Sequence, residues 1–295
     1  MIRIPTKGRT LALLAVPALL LAVGSVQAVP IVGLTSANEI ARIETSNLSS
    51  STRAAITGLA AGDRFVGIDL RPGDNKIYGI TLSNKIYTVN EFTGATTFVA
   101  NLSENIVLST LGYGVDFNPN ADFTGGSSLR FTSTAGSNYA INPMTGVVGN
   151  QGSNIGAGFS GAAYTNSSPF PTTQPSTSLY YINSSDNTLR FAPNNFNSPT
   201  IQTIGPLGID ALRANGFEIL GNGTAYAALN VDEGSSLVTG IYTINLATGA
   251  ATLVGNYNGT LSGLTASAVP EVGTYALMAL GLGAIGFTLR RRRQA

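Results

Sequence analysis

Five times along this chain a glycine stands two places before a recurring position: Gly67-Ile68-Asp69, Gly114-Val115-Asp116, Gly161-Ala162-Ala163, Gly216-Phe217-Glu218 and Gly263-Leu264-Thr265. Successive glycines lie 47, 47, 55 and 47 residues apart. Such a period constrains the fold strongly, because each repeat is one small unit that cannot bury its apolar face without neighbours. A second register carries the same period. Ile77-Tyr78-Gly79-Ile80 with Ile86-Tyr87-Thr88-Val89-Asn90 recurs as Leu129-Arg130-Phe131 with Tyr139-Ala140-Ile141-Asn142, and as Ala225-Tyr226-Ala227 with Ile241-Tyr242-Thr243-Ile244-Asn245. A weaker copy joins Leu179-Tyr180-Tyr181 to Leu189-Arg190-Phe191. Residues 33–40 align without a gap on residues 79–86, so the first copy begins in mid-unit.

Each unit reads as four short strands rich in Ile, Val, Tyr, Phe and Thr, for example about 65–71, 76–82, 85–91 and 96–102. Helical spacing is absent between residues 30 and 265. Asn90-Glu91-Phe92-Thr93-Gly94, Asn142-Pro143-Met144-Thr145-Gly146 and Asn245-Leu246-Ala247-Thr248-Gly249 join the third strand to the fourth. An Asn that can bond its own turn, followed by a Gly free to take positive φ, is hairpin chemistry. The 35 glycines and 13 prolines suit a chain so often turned. Four strands per unit at this period predict an all-β fold, a β-propeller of five four-stranded blades. Six or seven blades, or another β solenoid or sandwich, are the alternatives. Residues 31–60 supply three strands without an innermost partner, and 261–267 an innermost strand without followers, so pairing the two chain ends would close the ring. Closure removes exposed strand edges that invite aggregation.

Asp69, Asp116 and Glu218 occupy equivalent positions on innermost strands and are expected at one height around the axis. Three carboxylates there suit Ca²⁺, a hard cation that takes six to eight oxygens. They also suit an acid/base pair in which like charges raise one pKa. A structural role is the third reading: each carboxylate accepts a backbone N–H from the next blade, or pairs with Arg71, Arg130 or Arg213. The chain has no His and no Cys, which excludes Ser-His-Asp and Cys-His triads and zinc held by imidazole or thiolate. With no Trp, aromatic platforms for sugar are limited to Phe and Tyr, such as Tyr113, Phe123, Phe170 and Phe196. A Pro/Ser/Thr-rich insertion, residues 167–178, interrupts the third full unit.

The two ends read as addresses. Arg3, Lys7 and Arg9 precede an uncharged run from Thr10 to Val23, and Val26-Gln27-Ala28 offers signal peptidase a site after Ala28. Near the other end Val269-Pro270-Glu271-Val272 precedes an uncharged stretch from Gly273 to Leu289, then Arg290, Arg291, Arg292 and Arg293. At ~1.5 Å per residue that stretch covers about 25 Å, enough to span if the arginines snorkel. Arginines kept in the cytoplasm would leave everything before Val269 outside the inner membrane. This order resembles the PEP-CTERM sorting signal of Gram-negative bacteria, with Val272 where that family has a second proline. The resemblance implies an exosortase-type enzyme as a partner, transient anchoring through the C-terminal helix, and a final place at the cell surface or outside the cell. The expected organisation is a signal peptide (1–28), a propeller (29–267) and a sorting signal (268–295). Without its ends the body would carry nine basic against 14 acidic residues, a net charge of −5, which disfavours nucleic acid.

Gly67-Ile68-Asp69-Leu70-Arg71-Pro72, Gly114-Val115-Asp116-Phe117-Asn118-Pro119, Gly161-Ala162-Ala163-Tyr164 and Thr248-Gly249-Ala250-Ala251-Thr252-Leu253-Val254-Gly255, over roughly residues 31–265, resemble a family of exported bacterial propeller-like domains of unknown function. The resemblance implies fold and location, and brings no catalytic or binding residues. The expectation is therefore a binding or structural module, not an enzyme, that meets extracellular polysaccharide or another surface protein. A carboxylate-based enzyme acting on polysaccharide and a calcium-dependent binding module are the alternatives.

Overall fold

The structure is a computed structural model that describes residues 30–232 and 237–268; the side chains of residues 213–215 are outside this description. The expected signal peptide with its cleavage site at Ala28, and the expected sorting signal with Pro270, Glu271 and Arg290 to Arg293, lie outside the described residues.

The strands form five four-stranded antiparallel sheets. The first joins both chain ends: innermost β20 (Leu261–Ala266), then β1 (Pro30–Thr35), β2 (Glu39–Glu44) and β3 (Thr52–Ala55). The second runs outward through β4 (Phe65–Arg71), β5 (Lys76–Thr81), β6 (Lys85–Val89) and β7 (Thr96–Asn101). The third consists of β8 (Tyr113–Phe117), β9 (Leu129–Ser133), β10 (Asn138–Ile141) and the two-residue β11 (Val148–Gly149). The fourth is β12 (Phe159–Tyr164), β13 (Leu179–Asn183), β14 (Thr188–Ala192) and β15 (Gln202–Pro206). The fifth is β16 (Arg213–Ile219), β17 (Ala225–Asp232), β18 (Leu237–Ile244) and β19 (Ala251–Tyr257). Strands β4, β8, β12, β16 and β20 contact one another in a closed circuit, so the five sheets are blades of one propeller.

Closure is made by backbone pairing, with Ile31 opposite Ala266, Val32 opposite Thr265 and Gly33 opposite Leu264. The core lies between blades. Val32, Leu34 and Ile40 meet Phe65, Ile68 and Ile77 across one interface. Ala163, Ile182 and Leu189 meet Phe217, Ile219 and Leu229 across another. Inner strands are therefore buried on both faces, as in β8, where all five residues are buried. Outer strands alternate or face water, as in β7 and β19.

Two elements depart from the sequence expectation of no helix: α1 (Pro119–Phe123) and a 3₁₀ turn at Leu48–Ser50. Asn118 caps α1 by accepting from Asn120 and Ala121 N–H, and Pro119 takes the first helical position, where no donor is needed. Five residues are too few to show a helical period in the sequence.

Candidate functional site

The five marker glycines sit where the inner strands crowd the axis. A Cβ on Gly67 would run into Val115, and one on Gly114 would lie 2.7 Å from the backbone nitrogen of Ala162. This constriction, lined by Gly67, Gly114, Gly161, Gly216 and Gly263, separates two regions of the axis.

Toward the C-terminal ends of the inner strands the structure brings Asp69, Asp116 and Glu218 together. One oxygen of each lies within 4.8 Å of the others, and all three side chains are buried. The repeat explains the arrangement. Asp69 Oδ2 accepts from Phe117 N–H at 2.7 Å, Asp116 Oδ1 from Tyr164 N–H at 2.9 Å, and Glu218 Oε2 from Ala266 N–H at 3.2 Å. Thr265, at the same repeat position, accepts from Leu70 N–H at 2.8 Å and donates to Asp69 Oδ1 at 2.7 Å. Each of these residues thus holds the backbone of the next blade one position beyond its own equivalent. Ala163 lacks the group, and Glu218 accepts from its own neighbour Ile219 N–H there.

Burial is the first cause that raises all three carboxyl pKa values, and for Asp69 and Asp116 like charge adds to it. Of the arginines considered from sequence, Arg71 and Arg130 do not neutralise them. Arg71 pairs with Asp122 at 2.7 Å, and Arg130 bonds Tyr164, Asn138, Tyr139 and Asn197. The side chain of Arg213 is outside the described part. Asp116 Oδ2 and Glu218 Oε1 are buried with no hydrogen-bond partner. Three buried carboxylates with two unpartnered oxygens offer a hard metal ion oxygen donors.

The inserted loop lies across the strand ends nearest the trio. Phe170 N–H bonds Pro72 O at 2.9 Å, Asn120 Nδ2 bonds Pro175 O at 2.8 Å, and Ser167 bridges to Leu220. It thereby touches the turns of three other blades. The aromatic residues singled out from sequence do not converge. Phe123 and Phe170 are exposed on the surface, Phe196 packs edge-on to Tyr164, and Tyr113 stacks on Phe131.

Of these aromatic residues, Tyr113 lies at the other end of the axis, which sequence reasoning otherwise missed. There the N-terminal ends of inner strands and the turns between second and third strands enclose a funnel of about 400 Å³. Arg64, Tyr113, Ser160, Asn230 and Ser262 contribute to its wall, one from each blade or the linker leading into it. Asn230 is fully buried, and its Nδ2 has no partner. The one signal available in the sequence was position: these residues flank the starts of the innermost strands.

Solved structures similar in fold include the calcium-binding protein regucalcin from Agrobacterium tumefaciens, 15% identical, with a TM-score of 0.41 over 76% of this chain and 68% of that one. They also include a candidate 6-phosphogluconolactonase from Bacteroides fragilis, 11% identical, with a TM-score of 0.44 over 79% of this chain and 83% of that one. A protein of unknown function from Bacteroides caccae matches at 10% identity, with a TM-score of 0.37 over 81% and 98% of the two chains. At these identities the likeness concerns the fold. The expectation that the chain is not an enzyme does not stand, because a candidate 6-phosphogluconolactonase is among these structures; the likeness assigns no activity to this chain. Comparison with curated proteins finds no match. The sequence family described as a domain of unknown function, DUF4394, matches residues 39–265, and the chain belongs to that family.

Proposed function

We propose that this is an exported propeller, sorted through its C-terminal signal, that displays the axial funnel at the cell surface or in the extracellular matrix and binds polymer or another surface protein there. The supporting observation is where the chain leaves the ring. β1 begins and β20 ends at the trio's end of the axis, where Ser267 N–H bonds Pro30 O at 3.3 Å. Glu91 holds the departing chain through Ser267 Oγ at 2.7 Å and Ala268 N–H at 3.0 Å. The funnel opens at the opposite end, so a tether attached after Ala268 leaves it unobstructed. A chain without cysteine allows a clean test. Leu108→Cys, on the exposed funnel rim, is to be labelled by a membrane-impermeant maleimide on intact producing cells. Labelling only after lysis would refute surface display.

A second reading concerns calcium, and the two unpartnered oxygens of Asp116 and Glu218 favour it. Asp69, Asp116 and Glu218 would hold the ion, with carbonyl or water oxygens completing the six to eight it takes. Bound there, it would supply positive charge that locks the blades around the axis. A melting temperature of the purified chain near pH 8 that is the same with Ca²⁺ and with chelator removes this reading.

A further inference from the structure

We infer that the axial funnel takes an acidic sugar unit, the carboxylate-bearing residue of a uronate-containing polymer; this rests on the binding reading above and names its ligand class. The charge of the wall is the first ground. Arg64 is exposed in the funnel and its guanidinium makes no ion pair among the described residues; the neighbouring Asp63 carboxylate accepts instead from Arg64 N–H and from Ser83. Among the described lining residues this is one unneutralised guanidinium with no carboxylate; it selects a single negative charge, and its planar fork matches a carboxylate.

The second ground is a buried donor with a fixed direction. Leu261 N–H donates to Thr239 Oγ1 at 3.2 Å, and that hydroxyl donates in turn to Asn230 Oδ1. The chain of donors leaves the amide oxygen satisfied and the Asn230 NH₂ free, at a fully buried side chain on the funnel wall. An unmet donor in such a place costs stability unless something accepts from it. The amide is closed to solvent in this state, so a ring oxygen or hydroxyl of a ligand accepts from it once the Asn230 side chain turns into the funnel.

The rest of the wall suits a sugar. Ser36, Ser109, Thr110, Thr134, Thr260 and Ser262 bring hydroxyl groups. Leu108, Leu212 and Leu237, each about half exposed at the rim, offer apolar surface to the C–H face of a pyranose. A volume near 400 Å³ holds one or two such units and suits the end of a chain or a short segment.

The test is calorimetric titration of the full-length chain in detergent with trigalacturonate and with its methyl ester, which lacks the charge and carries added methyl groups; the Arg64→Gln variant separates the two effects. The acid should bind at least tenfold tighter than the ester at low ionic strength. Arg64→Gln, at an exposed position, should bring the two within about twofold while leaving the melting temperature unchanged. Equal affinity for acid and ester overturns the proposal, as does a preference that survives Arg64→Gln or a failure of both to bind. Co-sedimentation with the producing cells' own extracellular polymer separates the two levels. If the polymer binds and trigalacturonate does not, the ligand class is wrong and surface binding stands; if neither binds, both fail.

Discussion

Gly114 faces the neighbouring inner strand so closely that a methyl group would sit 2.7 Å from Ala162 N and 2.9 Å from the carbonyl carbon of Gly161. These are backbone atoms of another blade, which cannot swing aside as a side chain can. Gly114→Ala should therefore cost about 2–3 kcal/mol, in the range of overpacked cores. Gly152→Ala, at an exposed position with nothing within 4 Å of the added carbon, should change the urea midpoint little. Equal midpoints for the two variants would contradict the crowded axis. Asp116 is governed by charge. Its pKa is raised by burial and by Asp69 and Glu218, so the folded state prefers the protonated form. A carboxyl raised on folding contributes stability that is full below its unfolded value, ~3.9, and is lost as pH climbs toward the folded value. In chelator the melting temperature should thus fall from pH 4 toward pH 8 on account of the trio. Asp116→Asn keeps an acceptor for Tyr164 N–H and removes the charge, so it should flatten that slope and melt above the parent at pH 8. If Ca²⁺ raises the parent's melt at pH 8, the gain should vanish in Asp116→Asn.

Between strands, the recurring turn asparagines reach from one blade to the next. Asn84 turns the chain from β5 to β6 with φ of 61°, and its Oδ1 accepts from Ile106 N–H at 2.8 Å and Val107 N–H at 2.9 Å in the linker to β8. Asn38 does the same for Phe65 N–H, and Asn187 for Ala211 N–H. Asn84→Ala forfeits both bonds and leaves in the left-handed region a residue without the polar side chain that lets Asn tolerate it, which together should cost about 2–4 kcal/mol. Asn84→Gly keeps the backbone and loses only the bonds, so it should cost roughly half as much in the same denaturation. Comparable losses would show that the bonds, not the backbone, dominate. Asn38 and Asn84 lie in segments that align without gaps, residues 33–40 on 79–86, which is why strands, turns and ring closure were legible in the sequence. Identity of chemistry at a fixed period needs no knowledge of distant contacts. The trio was legible for the same reason, down to N–H groups of the next blade as partners. The funnel was not, because Arg64 and Asn230 come from unlike positions in their repeats and share a wall only in three dimensions. Nor was the role of residues 167–178, whose composition reads as loose loop and whose bonds go to other blades.

As a whole the molecule is held shut by one strand. Without β20, β1 would present an unpaired edge, and Ile31, Val32 and Ile68, all at most 1% exposed, would lose their cover. Leu261 and Leu264 alone bury side chains worth about 1.5–3 kcal/mol each. Thr265 adds its links to Leu70, Asp69 and Glu218, and these join three blades through one hydroxyl. The sum is comparable with the ~5–15 kcal/mol that separates a folded domain from its unfolded chain. A chain ending at Thr260 should therefore fail to melt cooperatively and elute as aggregate in size-exclusion chromatography, since an open edge pairs with other chains. A chain ending at Ala268 retains the latch and should melt as the longer one does. Because the missing piece is a single strand, a synthetic peptide of residues 261–268 added during refolding should recover monomer. Recovery depends on the pairing of Val32 with Thr265, so a peptide carrying Thr265→Pro, which lacks the backbone donor and the hydroxyl, should not restore it. Monomeric, cooperative unfolding of the chain ending at Thr260, with no peptide present, would mean that the ring does not depend on its closing strand.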